Sequence, residues 1–328
     1  MCYNSRHNLF GGVTLFELLF LGTAASAPSV WRSLPSTLVI HDESRFIVDV
    51  GEGTQRQLLR SGVGFKRLNT VLLTHGHLDH ILGLGGLIST FARWEAIDQF
   101  DIYGGRATLD RVKDLMRVVL RGGEVRVKIN LVELEPGVIL RGKGYTVSAF
   151  PVNHRGGSSF GFVFEEPSRR PFLVEPAEAL GVPPGPERRD LVAGKSITLA
   201  NGVVVHPDQV LGPPLSGVKV VYIGDVSRTE GLVEAAQGAD ALVMEATYSA
   251  ADAELAREFG HITAATSAEI ARAAGVRYLY LNHISRRYNG RELEAEARAL
   301  FPASRVVDDL DHFRVTRDDP AIRVVREE

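Results

Sequence analysis

The heptapeptide Thr74-His75-Gly76-His77-Leu78-Asp79-His80 places the strongest limit on what this 328-residue chain can become. Three imidazoles and a carboxylate arrive together, directly after the apolar run Thr70-Val71-Leu72-Leu73. In an extended stretch residues two apart point the same way, so His75 and His77 can grip one ion. Gly76 is expected to let the backbone bend between them. Asp79 and His80 follow where the loop turns toward a helix near Leu82, and face a neighbouring position. Two such pairs are too many for one tetrahedral ion that must also keep a water; they suit two ions.

The remaining ligands have to come from elsewhere. Of the ten histidines, His154 in "PVNH" and His283 in "YLYLNH" also follow short β-type runs. Asp225 follows another in "VVYIGD". A strand-end Asp is often only a turn former, but a carboxylate bridging two ions lowers the cost of holding dications side by side. Two metals roughly 3.5–4 Å apart activate a water and clamp the attacking and leaving oxygens of a phosphoryl centre. Imidazole and carboxylate without thiolate point to two zinc ions, with manganese or iron as the alternatives. Cys2 is the only cysteine, which excludes a zinc site built on cysteines and any internal disulfide, and gives a reducing, cytoplasmic setting as the expectation.

Short β-type runs alternate with helical patterns along the chain, an α/β organisation. Strands are expected at 16–22, 36–41, 46–50, 70–74, 100–103, 128–133, 145–152, 160–165, 218–223, 241–245, 278–282 and 305–307. Helices are expected at 54–60, 82–93, 109–120, 253–258, 266–274 and 291–300. Gly122-Gly123 should stop the helix over 109–120. The run "VTLFELLFL" (13–21), ahead of Ala25-Ser26-Ala27, has some features of an export signal. Glu17 interrupts it, and Arg6 is the one positive charge before it, so a first buried strand is expected instead. No stretch approaches the ~20 apolar residues of a membrane span.

Residues 166–217 differ in kind. "GVPPGPERRDLVAGK" and "LGPPLSG" punctuate a long, weakly structured stretch, read as an insertion projecting from one domain that takes up the rest of residues 1–328. Within it, "KSITLANGVVV" looks like a hairpin turning at Asn201-Gly202.

These stretches together resemble the metallo-β-lactamase superfamily, and within it the ribonuclease Z family. "THGHLDH" resembles the superfamily signature. "FIVDVGEGTQRQLLRSG", "PVNHRGGSSFGFVFEE", "LGVPPGPERRDLVAGK", "FGHITAATSAEIARAAGV" and "LYLNHISRRY" follow the narrower family in order, over about residues 16–310. The resemblance implies a four-layer αβ/βα sandwich with a projecting arm. It also implies a dizinc endoribonuclease and a homodimer. One zinc would sit on His75, His77 and His154, the other on Asp79, His80 and His283, with Asp225 bridging. Asp79 would accept a proton from the attacking water. His261, with Glu245 as partner, would protonate the departing ribose oxygen, the task of an imidazole with a pKa near working pH. A capping role for His261 and an imidazole-orienting role for Glu245 are the alternatives.

The implied substrate is precursor tRNA, cut to leave a 3′-hydroxyl, with the arm gripping the RNA. The formal net charge of −3 shows no bulk basic surplus for such a partner. Residues 165–219 carry six basic groups against seven acidic ones, so the arm is not a basic flag. Arg188, Arg189 and Lys195 cluster beside Pro183–Pro186 and could meet phosphates; a solvated surface is the alternative. The family's Pro-rich loop toward the acceptor end reads "APSVWRSLPS" here: Arg32 remains, Ser33 stands where the family has Asn, and Trp31 either stacks on a base or packs against the body. A phosphodiesterase of the same fold acting on small or cyclic nucleotide esters is the second functional expectation, and a binding protein with a dead site the third.

Overall fold

The computed structural model describes residues 15–94, 98–120, 127–155 and 157–325. In chain order the strands are β1 (Leu15–Gly22), β2 (Ser36–His41), β3 (Ser44–Val48), β4 (Thr70–Leu72), β5 (Gln99–Gly104), β6 (Lys128–Glu133), β7 (Gly137–Gly142), β8 (Tyr145–Val152), β9 (Ser159–Glu165), β10 (Ile197–Thr198), β11 (Val204–Val205), β12 (Lys219–Tyr222), β13 (Ala241–Glu245), β14 (Tyr278–Asn282), β15 (Ser304–Val306), β16 (His312–Thr316) and β17 (Ile322–Arg323). By its contacts the chain divides into two compact units, residues 166–217 and the rest.

The larger unit contains two mixed sheets. One runs β17-β16-β1-β2-β3-β4-β5-β6 and the other β15-β14-β13-β12-β9-β8-β7. Within the two sheets, β3 through β6 and β12 through β15 pair in parallel. Phe16, Leu18, Phe20, Phe46 and Leu72 of the first sheet share a core with Val147, Phe162, Phe164, Val220 and Tyr280 of the second. The opposite face of the first sheet packs under helices 54–60, 83–94 and 106–119 through Leu58, Leu84, Leu87, Phe91, Leu109 and Val112. The outer face of the second lies under helices 232–236, 264–273 and 290–300 through Leu232, Ala268, Ala271 and Leu293. Four layers result, helix on sheet on sheet on helix, as expected.

This layering explains the apolar run near the start. β1 is covered on both faces: Phe16, Leu18 and Phe20 point between the sheets, while Leu19 and Leu21 point under the helices. A strand buried on both sides reads as a continuous hydrophobic run. Glu17 survives there because β16, which the sequence reading missed, brings it partners. Its carboxylate pairs with His312 Nε2 at 2.8 Å and Arg314 Nε at 3.1 Å.

Other boundaries shift by a few residues. The helix expected from 82 begins earlier, as a short turn Leu78–Ile81 followed by Gly83–Trp94. The helix expected over 109–120 runs Arg106–Val119; Gly122-Gly123 lie outside the described residues. No helix among the described residues is long and apolar enough to cross a membrane.

Residues 166–217 are more ordered than their composition suggested. Helices Val174–Ala179, Pro186–Val192 and Pro207–Val210 and the β10–β11 hairpin enclose a small core of Ala177, Val182, Leu191, Val205, Val210 and Leu211. The hairpin turns where expected, with Gly202 at φ 83°. Arg170 fastens the two ends of this unit, donating from Nε to Gly212 O (2.8 Å) and from Nη2 to Leu211 O (3.0 Å).

Burial works to raise the Glu17 pKa, but the hydrogen bond and charge of His312, helped by Arg314, prevail and hold it below the ordinary carboxylate range. A depressed folded-state pKa contributes stability that is present above the ordinary Glu value and lost as pH falls through the folded one. Glu17→Ala should therefore cost about 3 kcal/mol at neutral pH, since it leaves the buried His312 ring and the Arg314 guanidinium without their partner. Denaturant midpoints measured from pH 7 down to pH 3 should show the difference between the two proteins shrinking; a constant difference would contradict this.

Candidate metal centre

The site forms where the strands of both sheets end. Thr74 to His80 leave β4, Asp49 leaves β3, His154 follows β8, Asp225 follows β12, and Thr247 and His283 follow β13 and β14. Residues 49–51 are stitched to the heptapeptide: Val50 N donates to His80 O (2.8 Å) and Gly83 N to Val50 O (2.9 Å). His77 caps the helical turn that carries Asp79 and His80. Gly76 serves differently from the expectation. Its backbone is not in the left-handed region, and the reason for glycine is space: a Cβ there would lie 3.1 Å from Thr108 Cα.

The seven residues expected to hold metal converge. His75, His77, His154 and Asp225 bring ligand atoms within reach of one point, and Asp79, His80 and His283 do so at another. His77 Nδ1 lies 2.9 Å from His75 Nε2 and 3.2 Å from His154 Nε2. In the second group His80 Nε2 and His283 Nε2 stand 3.7 and 3.6 Å from Asp79 Oδ2. Asp225 belongs to both. Its Oδ2 is 3.6 Å from His75 Nε2, 3.8 Å from His154 Nε2 and 3.5 Å from His80 Nε2, and its Oδ1 is 3.3 Å from His283 Nε2. Ligand atoms around a tetrahedral ion with bonds of 2.0–2.1 Å stand about 3.3 Å apart, the spacing seen here.

A second layer of side chains turns three of the rings, those of His75, His80 and His283, inward. Thr74 Oγ1 donates to Asp49 Oδ2 (2.7 Å), so the hydrogen on His75 Nδ1 goes to Thr74 Oγ1 (3.1 Å). His80 Nδ1 donates to Asp49 Oδ2 at 2.8 Å. Thr247 donates to Glu245, which leaves Thr247 Oγ1 to accept from His283 Nδ1 at 2.8 Å. With each Nδ1 protonated, each Nε2 presents a lone pair to the centre, the tautomer a metal requires. His80 Nε2, His283 Nε2 and Asp225 Oδ1 are buried without a hydrogen-bond partner. Such atoms are costly unless a cation satisfies them. The donor set therefore fits divalent cations.

Electrostatics keep His75, His77 and His154 neutral and favour positive charge at His80. Burial pushes the His75 and His77 pKa values down, and that of His154 to about 4, leaving neutral rings. Burial also works against a charge on His80, yet Asp225 and Asp49 together raise its pKa. For Asp225, burial is outweighed by His283, His80 and His75, which hold it well below the usual range. His261 sits beside this cluster with Nδ1 3.1 Å from Glu245 Oε2. Burial opposes its charge, but the Glu245 carboxylate raises its pKa to about 9. Thr263, not His261, caps the following helix. Glu245 is fully buried and also accepts from Val226 N at 2.6 Å, so it orients His261 and faces no open side.

The expected substrate-binding residues fare differently. Arg32 Nη1 donates to Thr23 Oγ1 and Val307 O, both at 2.6 Å, and Nη2 pairs with Asp308 at 2.5 Å. That guanidinium is consumed in holding its own loop. Trp31 beside it is 85% exposed, so packing against the body is ruled out. The loop touches the metal centre where Ser26 N donates to Asp79 Oδ2 at 2.9 Å. Arg188 likewise turns inward, to Val182 O and Pro183 O at 3.2 Å and over the Phe172 ring. Arg189 and Lys195 are exposed, the latter 3.4 Å from Asp190. Asp49, Thr74 and Thr247 were not anticipated; the signal for them is a polar residue just past an apolar strand.

Comparison with known proteins agrees with the geometry. The family model of the metallo-β-lactamase superfamily matches residues 31–93. A ribonuclease Z of Bradyrhizobium diazoefficiens is 46% identical over 92% of this chain and all of its own length. One of Geobacillus kaustophilus is 36% identical over 92% of this chain and 99% of its own. Among solved structures, the short form of human tRNase Z superposes with a TM-score of 0.64 at 24% identity, over 90% of this chain and 98% of that one. The metallo-β-lactamase fold protein YhfI of Bacillus subtilis gives 0.66 at 16% identity, over 92% and 99%. The fold is the metallo-β-lactamase fold.

If Asp49 and Thr247 set the tautomers of His80 and His283, Asp49→Asn and Thr247→Val should each weaken metal binding about ten- to a hundredfold with the fold retained. Competitive titration against a chromogenic chelator measures this; unchanged affinity in both variants would contradict the relay.

Proposed function

The chain belongs to the ribonuclease Z family, and from that premise we propose that it is a dizinc endoribonuclease that removes the 3′ trailer of precursor tRNA. The observation that carries the reading is the convergence of seven candidate ligand residues into two neighbouring groups, with Asp225 within 3.5 Å of His80 and His283 as well as in the first group, and with His261 and Glu245 beside them. When bound, two ions supply an activated water and neutralise charge at phosphorus.

The chain's own residues supply the rest. Asp79, whose carboxylate is kept ionised by His283 and His80 against the effect of burial, accepts a proton from the attacking water. The water oxygen bonds to phosphorus, the bond from phosphorus to the ribose 3′-oxygen breaks, and the phosphate stays with the trailer. His261 gives that oxygen its proton. Its Nδ1 is held by Glu245, so Nε2 is the nitrogen that faces substrate, and Glu245 acts as a positioning residue. A charged imidazole is in the form a general acid needs.

Residues 166–217 are the part proposed to grip the RNA, with Arg189 and Lys195 as its outward basic groups. Trp31, exposed on the loop that meets Asp79, is proposed to stack on an unpaired base near the cut. A homodimer belongs to the same reading through family resemblance.

Incubation with a 3′-extended precursor tRNA, with the cut mapped, tests the proposal: cleavage directly after the discriminator with a 3′-hydroxyl product is expected. Cleavage of small diesters alone would favour the phosphodiesterase reading. Removal of residues 167–217 should cripple tRNA cleavage and spare a chromogenic diester, whereas equal survival of both activities would remove the arm from the account. His77→Ala should lose metal and activity with the fold intact, because the site stands on loops over a large core.

A further inference from the structure

Two loops bring His154 and His261 together, and one side chain ties them. Arg155 follows His154 directly. Its Nη2 donates to the backbone carbonyl of Glu258, in the helix Ala253–Phe259 that leads into His261. Its stem lies across Gly260: a Cβ there would come within 2.9 Å of Arg155 Nε and 3.0 Å of its Cδ. Gly260 adopts φ 75°, a left-handed turn that ends the helix and aims the next residue, His261, at the site. The loop that carries Arg155 is itself anchored. Asn153 O accepts from Ser227 N at 2.7 Å and from Ser227 Oγ at 3.0 Å. Ser227 lies two residues beyond Asp225. A continuous set of contacts thus runs from the Asp225 loop through Asn153 and Arg155 to the turn before His261.

We propose that Arg155 is a positioning residue that sets His261 for protonation of the departing 3′-oxygen, by clamping the Glu258–Gly260 turn against the His154 loop. The proposal rests on the role given to His261 above. Glu245 fixes the imidazole from within through Nδ1, and Arg155 fixes the backbone that carries it. His261 lies on a connection between two helices, where its own N–H donates to Ala256 O at 2.8 Å and Thr263 bridges Tyr248 just past β13, so Arg155 adds a tie on the side of the His154 loop. The side chain of Arg155 is exposed, so its removal spares the core.

The test uses the full-length, metal-loaded protein and two matched precursor tRNAs. One carries the natural bridging 3′-oxygen at the cut, the other sulfur in its place. A thiolate leaves without being protonated, so loss of a general acid harms the first substrate and not the second. Arg155→Ala should lower kcat on the oxygen substrate by about tenfold or more, within the range that general acid catalysis supplies, with little change in KM. On the sulfur substrate it should stay within about threefold of the parent protein. Metal content should be unchanged, and amide hydrogen exchange should accelerate over residues 256–263. Arg155→Lys, which keeps a donor for Glu258 O, should recover part of the loss. Equal loss on both substrates, or no loss on the oxygen substrate, would overturn the proposal. His261→Ala is the control: if sulfur fails to rescue that variant, the role of His261 itself is wrong, whatever Arg155 does.

Discussion

A carboxylate at the centre of four imidazoles is the interaction on which this structure turns. Asp225 is buried, and its two oxygens lie 3.3–3.8 Å from nitrogens of His75, His80, His154 and His283. Desolvating a carboxylate costs several kcal/mol even after relaxation. Here the cost is offset only if positive charge sits among the rings. The inner nitrogens of His80 and His283 have no hydrogen-bond partner, and their outer nitrogens are already engaged by Asp49 and Thr247. Protons alone would satisfy part of this arrangement. Two dications would satisfy all of it.

The sandwich exists to bring those groups to one edge. Asp49 and the heptapeptide leave the first sheet, while His154, Asp225, Thr247 and His283 leave the second. No single strand end could supply them. The core between the sheets fixes the distance between the two sets, and the apolar faces under the helices fix each sheet in turn. Two residues of this edge carry backbone strain: Asp49 and His283 both adopt left-handed backbone, at φ 59° and 56°. Non-glycine residues in that region persist when the surroundings determine them, as the hydrogen bonds of both side chains do here.

The residues that converge at the site were legible in the sequence because few residue types can hold a metal and these follow apolar strands. The residues that orient them were not. Thr74 and Thr247 are ordinary polar residues until distant segments place an imidazole beside them. β16 escaped notice because "HFRVT" is only five residues long, and the partner that explains His312 and Arg314, Glu17, is 295 residues away from His312. Arginines misled for the same reason. Arg32 and Arg188 looked like phosphate ligands, but carbonyls of Val307, Val182 and Pro183 take their hydrogens. A guanidinium's partner is set by tertiary structure, whereas a cluster of histidines announces its purpose locally. The order within residues 166–217 was hidden because a core of six small and medium side chains leaves no periodic pattern.

The most direct measurement is anomalous diffraction from crystals of the zinc-loaded protein, recorded on both sides of the zinc absorption edge. Two peaks roughly 3.5–4 Å apart are expected, one among His75, His77 and His154, the other among Asp79, His80 and His283, with Asp225 between them. A single peak, or peaks away from these side chains, would contradict the account.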